Sequence, residues 1–135
     1  MFCLDANIVI GIMTKRAPRL AERLRAEIML GTQLLIPAVV LFELRYGAAK
    51  SQFPRENLAR IADFLAAVPT IAPFEAADAA EAGDIRAYLE GKGAPIGPFD
   101  YLIAAQARRR GAALVTLNRR EFERVPGLIV TDWAA

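Results

Sequence analysis

Apolar runs alternate with amphipathic segments along the chain. The apolar runs predict buried strands at residues 2–4, 34–37, 112–117 and 127–133, with a short strand or an extended link at 70–74. Apolar positions at helical spacing predict helices at residues 19–30, 38–50, 54–68, 76–93 and 97–111. Gly31 and Gly111 stand where two of these helices are expected to end. Strands that alternate with helices predict one α/β domain over residues 1–135, in which helices flank a parallel β-sheet.

Composition excludes several kinds of catalysis. The chain has no histidine and a single cysteine, Cys3, which lies inside the first apolar run. Without histidine, Ser–His–Asp and Cys–His catalysis are excluded, and so is a zinc site that is built on imidazole. Cys3 has no second cysteine with which to form an internal disulfide, so we expect it to be a small buried residue.

Charge and hydropathy give weaker indications about partners and location. Of the 17 basic residues 14 are arginine, while the net charge is only +2. Arginine suits phosphate groups and so favours a phosphate-bearing partner, although a GC-rich genome would explain the same enrichment. No apolar run approaches the ~20 residues of a membrane span, and no signal peptide is recognisable. We therefore expect a cytoplasmic protein without a membrane partner.

Four polar side chains stand where the pattern predicts apolar surroundings or the end of a strand. Asp5 directly follows the first predicted strand, and Asn118 directly follows the strand at 112–117. Glu43 interrupts the apolar face of one predicted helix. Asp100 lies in the first turn of another, again beside apolar positions. A buried carboxylate without a partner costs several kcal/mol, so these positions need a reason.

Each of the four also has an ordinary structural explanation. Asp5 could cap the helix that follows it, and Glu43 could form an ion pair with an arginine at the edge of the core. Asp100 could simply favour the positive end of its helix dipole. Asn118 together with Glu121 matches a helix N-cap followed by its reciprocal acid.

Taken together, the four residues indicate a site for a hard cation. Ligand sites in open parallel sheets form at the carboxyl ends of the strands, which places Asp5 and Asn118 on one rim. Oxygen ligands without imidazole suit Mg²⁺ or Mn²⁺. Carboxylates that converge in a pocket of low dielectric repel one another, so at least one pKa should be raised. For the same reason, Asp5→Asn should stabilise the metal-free protein.

Four short motifs also occur in the order and spacing of a known family. They are LDAN at residues 4–7, FELRYG at 42–47, IGPFDYLIAAQA at 96–107 and LVTLNRREFERVPGL at 114–128. Together they resemble the PIN-domain ribonucleases, and among these the VapC toxins of bacterial toxin–antitoxin pairs. The resemblance covers essentially the whole chain and implies a PIN-like fold.

The resemblance implies a role for each matching position. It implies a catalytic set formed by Asp5, Glu43, Asp100 and Asn118. The three acids of this set would bind Mg²⁺, for which Mn²⁺ could substitute. Asn7 and Thr116 would support the set, Asn7 by helping to orient Asp5.

The resemblance also implies an activity and partners. It implies Mg²⁺-dependent endonucleolytic cleavage of a tRNA or rRNA loop by a toxin that inhibits translation and growth, silenced by a VapB-type antitoxin. VapC-like proteins usually pair. The segment at residues 54–74, with Phe53, Phe64 and Phe74, carries more apolar surface than a small core needs, so we expect a homodimer. Binding of the RNA backbone is expected from Arg108, Arg109, Arg110, Arg119 and Arg120.

Two other functions remain open on the sequence. An aspartyl phosphatase of the haloacid-dehalogenase type would use Asp5 as the nucleophile of a D-x-D motif. Position 7 is asparagine, however, and no suitable lysine lies near a late strand. A non-catalytic α/β interaction module would use none of the acids chemically. That module would tolerate Asp5→Ala without any change in its effect on growth.

Overall fold

A computed structural model describes residues 1–133 and shows a five-stranded parallel β-sheet. Its strands are β1 (Phe2–Leu4), β2 (Leu34–Pro37), β3 (Ile71–Ala72), β4 (Ala113–Val115) and β5 (Val130–Thr131). Their spatial order is β3-β2-β1-β4-β5, and every paired strand is parallel to its neighbour. The predicted α/β fold with a parallel sheet is therefore confirmed, and β1 lies at its centre.

Helices connect the strands and cover the sheet. Within residues 1–133 they are α1 (Ala6–Met13), α2 (Pro18–Met29), α3 (Ala38–Ala49), α4 (Pro54–Ala67), α5 (Ala76–Gly91), α6 (Pro98–Arg109) and α7 (Arg119–Phe122). Proline opens α2, α4 and α6, where its missing N–H would have no partner in the helix anyway. Gly31 and Gly111 adopt φ of +72° and +67° after α2 and α6, so both end a helix as predicted. None of the helices in this part of the chain is long and apolar enough to cross a membrane.

The central strands are buried among apolar side chains. Every residue of β2 is buried, and Cys3 and Leu4 of β1 are fully buried. Leu114 and Val115 of β4 are fully buried as well, and each such aliphatic side chain contributes about 1.5–3 kcal/mol. Burial raises the pKa of the Cys3 thiol to about 12, which agrees with the small buried residue that the sequence predicts.

The register of the sheet brings the ends of β1 and β4 to the same rim. Leu4 pairs with Val115, and because the strands are parallel their carboxyl ends point the same way. The backbone N–H of Asp5 continues the ladder by donating to the carbonyl of Val115 at 2.9 Å. On the other side of β1, strand β2 leads directly into α3. Residues after β1, after β4 and on α3 therefore meet at one edge of the sheet.

A buried amide fixes α6 against α3 and the end of β3. Gln106 of α6 is fully buried, and its Nε2 donates to the carbonyls of Ala72 at 2.8 Å and Pro73 at 3.1 Å. Its Oε1 accepts from the backbone N–H of Val39, in the first turn of α3, at 3.3 Å. Leaving a buried polar group unpaired costs about 1–3 kcal/mol, so this amide holds the two helices in a defined relative position.

The apolar surface is distributed differently from what the homodimer prediction assumed. Phe64 is only 7% exposed because it packs into the core, whereas Phe53 is 58% exposed. A partly exposed apolar face lies between α3 and α6, and is formed by Ala38, Val39, Phe42, Phe74, Phe99 and Leu102. We call it the α3–α6 face. The homodimer stays a prediction, and this face, which includes Phe74, suits it better than Phe53 and Phe64 do.

Candidate active site

Asp5 is a buried carboxylate with a hydrogen bond to each oxygen. It directly follows β1 and is 6% exposed. Its Oδ1 accepts from the backbone N–H of Ala6 at 2.8 Å, and its Oδ2 accepts from the hydroxyl of Thr116 at 2.7 Å. Burial raises the pKa of Asp5, and these two hydrogen bonds oppose the rise. The helix-cap explanation is therefore correct for Oδ1, while Oδ2 accepts a hydrogen bond from Thr116, the residue that follows β4.

Thr116 fixes the orientation of that carboxylate. It is fully buried, and its hydroxyl accepts from the backbone N–H of Asn118 at 3.0 Å while donating to Asp5. Asn7, for which the resemblance implied this orienting role, has an exposed side chain and no hydrogen bond to Asp5 in the described part of the chain. The hydroxyl of Thr116 and the N–H of Ala6 orient Asp5 instead.

Glu43 lies on α3, within electrostatic range of Asp5. Its side chain is partly buried, and burial raises its pKa, with a further contribution from the negative charge of Asp5. Within residues 1–133 Glu43 forms no ion pair with an arginine, although nine such contacts between other residues are present. The ion-pair explanation for this acid is therefore wrong, and the charge that acts on Glu43 is the negative charge of Asp5.

Asp100 is the most strongly perturbed acid of the group. Burial raises its pKa to about 7, together with the charges of Asp5 and Glu121, a hydrogen bond with Glu121 and the charge of Glu43. This direction agrees with the prediction that at least one pKa of the group is raised, and burial contributes more to it than the neighbouring carboxylates do. The charges of Asp5, Glu43 and Glu121 thus all act on Asp100, and the charge of Asp5 also acts on Glu43.

Glu121 is a member of this group that sequence reasoning assigned to helix capping alone. In the structure α7 has no side-chain N-cap hydrogen bond. Instead the Nδ2 of Asn118 donates to Oε2 of Glu121 at 3.0 Å. Glu121 in turn is hydrogen-bonded to Asp100. Its position in the sequence could have indicated this role. Glu121 lies three residues after Asn118, which follows β4, and this short separation keeps both residues on the same rim of the sheet.

The chemistry of these side chains fits a hydrated Mg²⁺ or Mn²⁺ ion. All of the candidate ligand atoms are carboxylate or amide oxygens, which hard cations prefer. Among residues 1–133 no three histidine, cysteine or acidic side chains are arranged to hold a metal ion by themselves. Mg²⁺ commonly binds one or two carboxylates and keeps several waters, so such a site requires no closed cage. Burial and the charges of Asp5, Glu121 and Glu43 raise the pKa of Asp100, and a bound dication would neutralise those charges.

Three of the five arginines predicted to bind RNA lie away from the acidic group and are engaged elsewhere. Arg108, Arg109 and Arg110 end α6, about 12–15 Å along the helix from its acidic first turn. Arg108 Nε binds Glu81 at 2.7 Å, and Arg109 and Arg110 bind the buried carboxylate of Asp78 at 2.6 and 3.0 Å. Burial alone would raise the pKa of Asp78, but the hydrogen bonds from these arginines outweigh it and lower the pKa to about 2. These three arginines join α6 to α5.

The other two arginines lie beside the site, at the start of α7. Arg119 pairs with Glu123 at 2.9 Å and with Asp132 at 3.6 Å. Arg120 is exposed and forms no ion pair within residues 1–133. Binding of RNA by these residues stays a prediction, and Arg120 suits it best, since it lies two residues after Asn118 and has no ion-pair partner within residues 1–133.

Comparison with known proteins agrees with this arrangement. The PIN domain family matches residues 2–128, so the chain belongs to the PIN-domain family. It is 44% identical over 133 residues to the "tRNA(fMet)-specific endonuclease VapC" of Shigella flexneri, and the match covers 98% of both chains. Within the family the chain therefore groups with the VapC ribonucleases, and the aspartyl phosphatase alternative is set aside.

Solved structures of such proteins have the same fold. The structure of VapBC2 from Rickettsia felis, bound to a DNA fragment from its promoter, gives a TM-score of 0.90 at 34% identity over 96% of both chains. The DNA-bound VapBC of Salmonella typhimurium gives a TM-score of 0.89 at 38% identity, over 98% of this chain and 97% of that one. The likeness thus extends over nearly the full length of the chain.

Proposed function

We propose that the chain is a Mg²⁺-dependent endoribonuclease and the toxin of a toxin–antitoxin pair, which inhibits translation and growth by cutting RNA. The observation that supports this most is the convergence of Asp5, Glu43, Asp100 and Glu121 at one rim of the sheet. Relatives from Shigella flexneri and Salmonella typhimurium are named for tRNA(fMet), which favours initiator tRNA over other tRNA or rRNA loops as the substrate. Because that substrate is cytoplasmic, so is the proposed place of action.

Each acid has a distinct task in this proposal. Asp5 and Asp100 would hold the metal ion, which when bound supplies Lewis-acid stabilisation of the charge that develops on the phosphate. Thr116 and the N–H of Ala6 keep the Asp5 carboxylate in one orientation. Burial and the charge of Asp5 raise the pKa of Glu43, which suits it to position the attacking water and accept its proton.

Asn118 and Glu121 act on Asp100. Asn118 holds Glu121 through its amide, and Glu121 hydrogen-bonds Asp100. Since the pKa of Asp100 is about 7, this carboxyl carries a proton much of the time near neutral pH, and binding of a cation requires its release. Glu121 is therefore proposed as a further acid of the catalytic set, with Asn118 as the residue that orients it.

Metal dependence is the direct test of this proposal. The purified chain should cut end-labelled initiator tRNA at an internal bond with Mg²⁺ or Mn²⁺, and EDTA should stop cleavage until metal is added back. Cleavage that survives thorough chelation would contradict the metal assignment. A protein that binds tRNA but leaves it and rRNA intact at every metal concentration would favour the interaction module.

A groove beside Glu43 is the proposed binding site of an inhibitory partner. Solved relatives are VapBC complexes, which supports a VapB-type antitoxin as that partner. The groove has a volume of about 240 Å³, and Ile10, Met13 and Leu44 are among its apolar lining residues. An apolar segment of the antitoxin would fill it, and an Arg or Lys would pair with the carboxylates at the rim.

The partner should suppress cleavage through both contacts. We expect the product of a short reading frame adjacent to this gene to copurify with the chain and to abolish RNA cleavage. Ile10→Asp should weaken the complex at least about tenfold, because it places a charge in an apolar contact. Ile28→Asp is the matched control, since Ile28 is 39% exposed, Ile10 is 41% exposed, and only Ile10 lines the groove. A partner that binds tightly yet leaves cleavage unchanged would contradict the proposal.

A homodimer is also part of the proposed assembly. The α3–α6 face presents three partly exposed phenylalanines, and Phe42 packs against Phe99 with ring centroids 5.5 Å apart. Contiguous apolar surface of this kind commonly marks a protein contact, and a second copy could bury it symmetrically. The face adjoins Glu43, so the two active sites of such a dimer would lie near the interface.

A further inference from the structure

The glycine that precedes α6 is in close contact with the carboxylate of Asp100. A Cβ atom built at Gly97 would lie 2.9 Å from Oδ2 of Asp100 and 3.4 Å from its Cγ. Real Cβ atoms essentially never approach a non-bonded heavy atom of another residue within 3.0 Å, so a side chain at this position would displace the carboxylate. All nine glycines lie within residues 1–133, and the next shortest such distance is 3.3 Å, from Gly11 to Cβ of Ala17.

The backbone itself does not require glycine at this position. Gly97 has φ of −60° and ψ of 148°, which any residue adopts, in contrast to Gly31 and Gly111 with their positive φ. Helix N-caps favour serine, asparagine and aspartate over glycine, which ranks with threonine, and Gly97 leaves α6 without a side-chain cap hydrogen bond. Neither backbone conformation nor capping requires glycine at this position, whereas the close approach of the Asp100 carboxylate favours a residue without a side chain.

We propose that Gly97 is a positioning residue for Asp100, since its lack of a side chain lets that carboxylate fold back over the start of α6 and face the other acids. Asp100 is the third residue of α6, and side chains on a helix point back toward its N-terminus. A Cβ at position 97 would force the carboxylate out of this position. This inference rests on the proposed function, because it assumes that Asp100 binds the metal ion.

Gly97→Ser separates this positioning role from a role in starting the helix. Serine is at least as good an N-cap as glycine, so if residue 97 only starts α6, the variant should bind metal like the wild type and melt at least as high. If Gly97 makes room for the carboxylate, the added Cβ moves it although α6 remains intact. The fold tolerates this movement because the displaced atoms are the far end of a flexible side chain.

The experiment is calorimetric titration of the metal-free protein with Mn²⁺ at pH 8. We expect Gly97→Ser to raise the dissociation constant for Mn²⁺ at least about tenfold, which is the usual effect of losing the group that orients a metal ligand. The circular dichroism spectrum should be unchanged. Cleavage by this variant should show a lower kcat with an unchanged KM for RNA. Gly83→Ala is the matched control, because a Cβ at Gly83 of α5 would meet no atom within 4 Å, and its Mn²⁺ affinity should equal that of the wild type.

A double-mutant cycle tests whether Gly97 acts through Asp100. In an Asp100→Asn background, Gly97→Ser should cause no further loss of Mn²⁺ affinity or of kcat. Wild-type affinity in a folded Gly97→Ser protein would overturn the inference, and so would an equal loss with and without Asp100. A wild type that gives no Mn²⁺ binding signal would instead overturn the proposed function, and this inference with it.

Discussion

Asp5→Asn and Asp100→Asn are each expected to slow RNA cleavage by at least about 100-fold at a fixed Mg²⁺ concentration. Each variant replaces a negative charge of the group with a neutral amide, which is a weaker ligand for a dication. Asn118→Ala should cost only about tenfold, because the Asn118 amide orients Glu121 through one hydrogen bond and carries no charge. The order of these losses distinguishes a metal site from a general loss of structure.

The measurement is the single-turnover rate of cleavage of end-labelled initiator tRNA, with a melting temperature recorded for each variant. Asp84→Asn is the matched control, since Asp84 is an exposed aspartate of α5, and its rate should equal that of the wild type. Wild-type rates in Asp5→Asn, with the fold intact, would support the non-catalytic module. A uniform loss in all four variants would indicate that the assay follows stability.

The positions of Asp5 and Asn118 could be predicted from the sequence because they depend on strand ends alone. A short apolar run that stops at a carboxylate indicates a strand end, and parallel strands place their ends on one rim. The structure adds the hydrogen bond from Thr116 to Asp5, which needs the exact pairing of β1 with β4. That pairing joins residues 111 positions apart in the sequence, so no local sequence pattern could predict it.

Helix α1 could not be predicted from local composition. Ile8, Val9 and Ile10 are β-branched, and such residues favour strands when taken alone. In the structure the Asp5 carboxylate accepts from the N–H of Ala6 at the first turn, and Ile8 and Val9 are fully buried. Burial of this face in the core therefore outweighs the intrinsic preference, which is the usual limit of propensity arguments.

The arginines show a different limit. A basic cluster at 108–110, at the end of α6, suggests a phosphate-binding surface. The sequence shows the charges of these residues but not the groups with which they pair. The partners lie on α5, about 30 residues earlier, where Asp78 and Glu81 accept these guanidinium groups. The contribution of Gly97 is hidden for a similar reason, since the atom that it accommodates belongs to the side chain of Asp100.

The stability of the metal-free protein is expected to fall as the pH rises from about 4 to 8, and Asp100→Asn should remove much of that fall. The pKa of Asp100 is about 7 in the folded protein, against a value of about 3.9 in an unfolded chain. Between these values the folded state keeps a proton that the unfolded state has released, so stability decreases with rising pH. The stabilisation that comes from protonated Asp100 is fully present below pH 4 and is lost as the pH rises through 7.

Asp100→Asn should therefore melt above the wild type at pH 8 in EDTA, by about 3–8 °C, which corresponds to about 1–2 kcal/mol for a chain of this length. The asparagine cannot ionise, and its amide can still donate to Glu121. Near pH 4 the two proteins should melt within about 2 °C of each other, since Asp100 is then protonated. The sequence alone assigned this relief of repulsion to Asp5, but both oxygens of Asp5 accept hydrogen bonds. An amide cannot accept at both positions, so Asp5→Asn should gain less.

Addition of Mn²⁺ at a hundredfold excess over its dissociation constant should stabilise the wild type at pH 8 by about 2.7 kcal/mol, through preferential binding to the folded state. The same addition should change the melting temperature of Asp100→Asn little, because that variant lacks one of the charges that attract the ion. Differential scanning calorimetry of both proteins, at pH 5 and pH 8 with EDTA or Mn²⁺, gives all the comparisons. A wild type whose melting temperature is the same at both pH values and indifferent to millimolar Mn²⁺ would contradict the coupling of the four acids. Such a result would leave the parallel-sheet fold and the family assignment unaffected, because neither depends on the ionisation of Asp100.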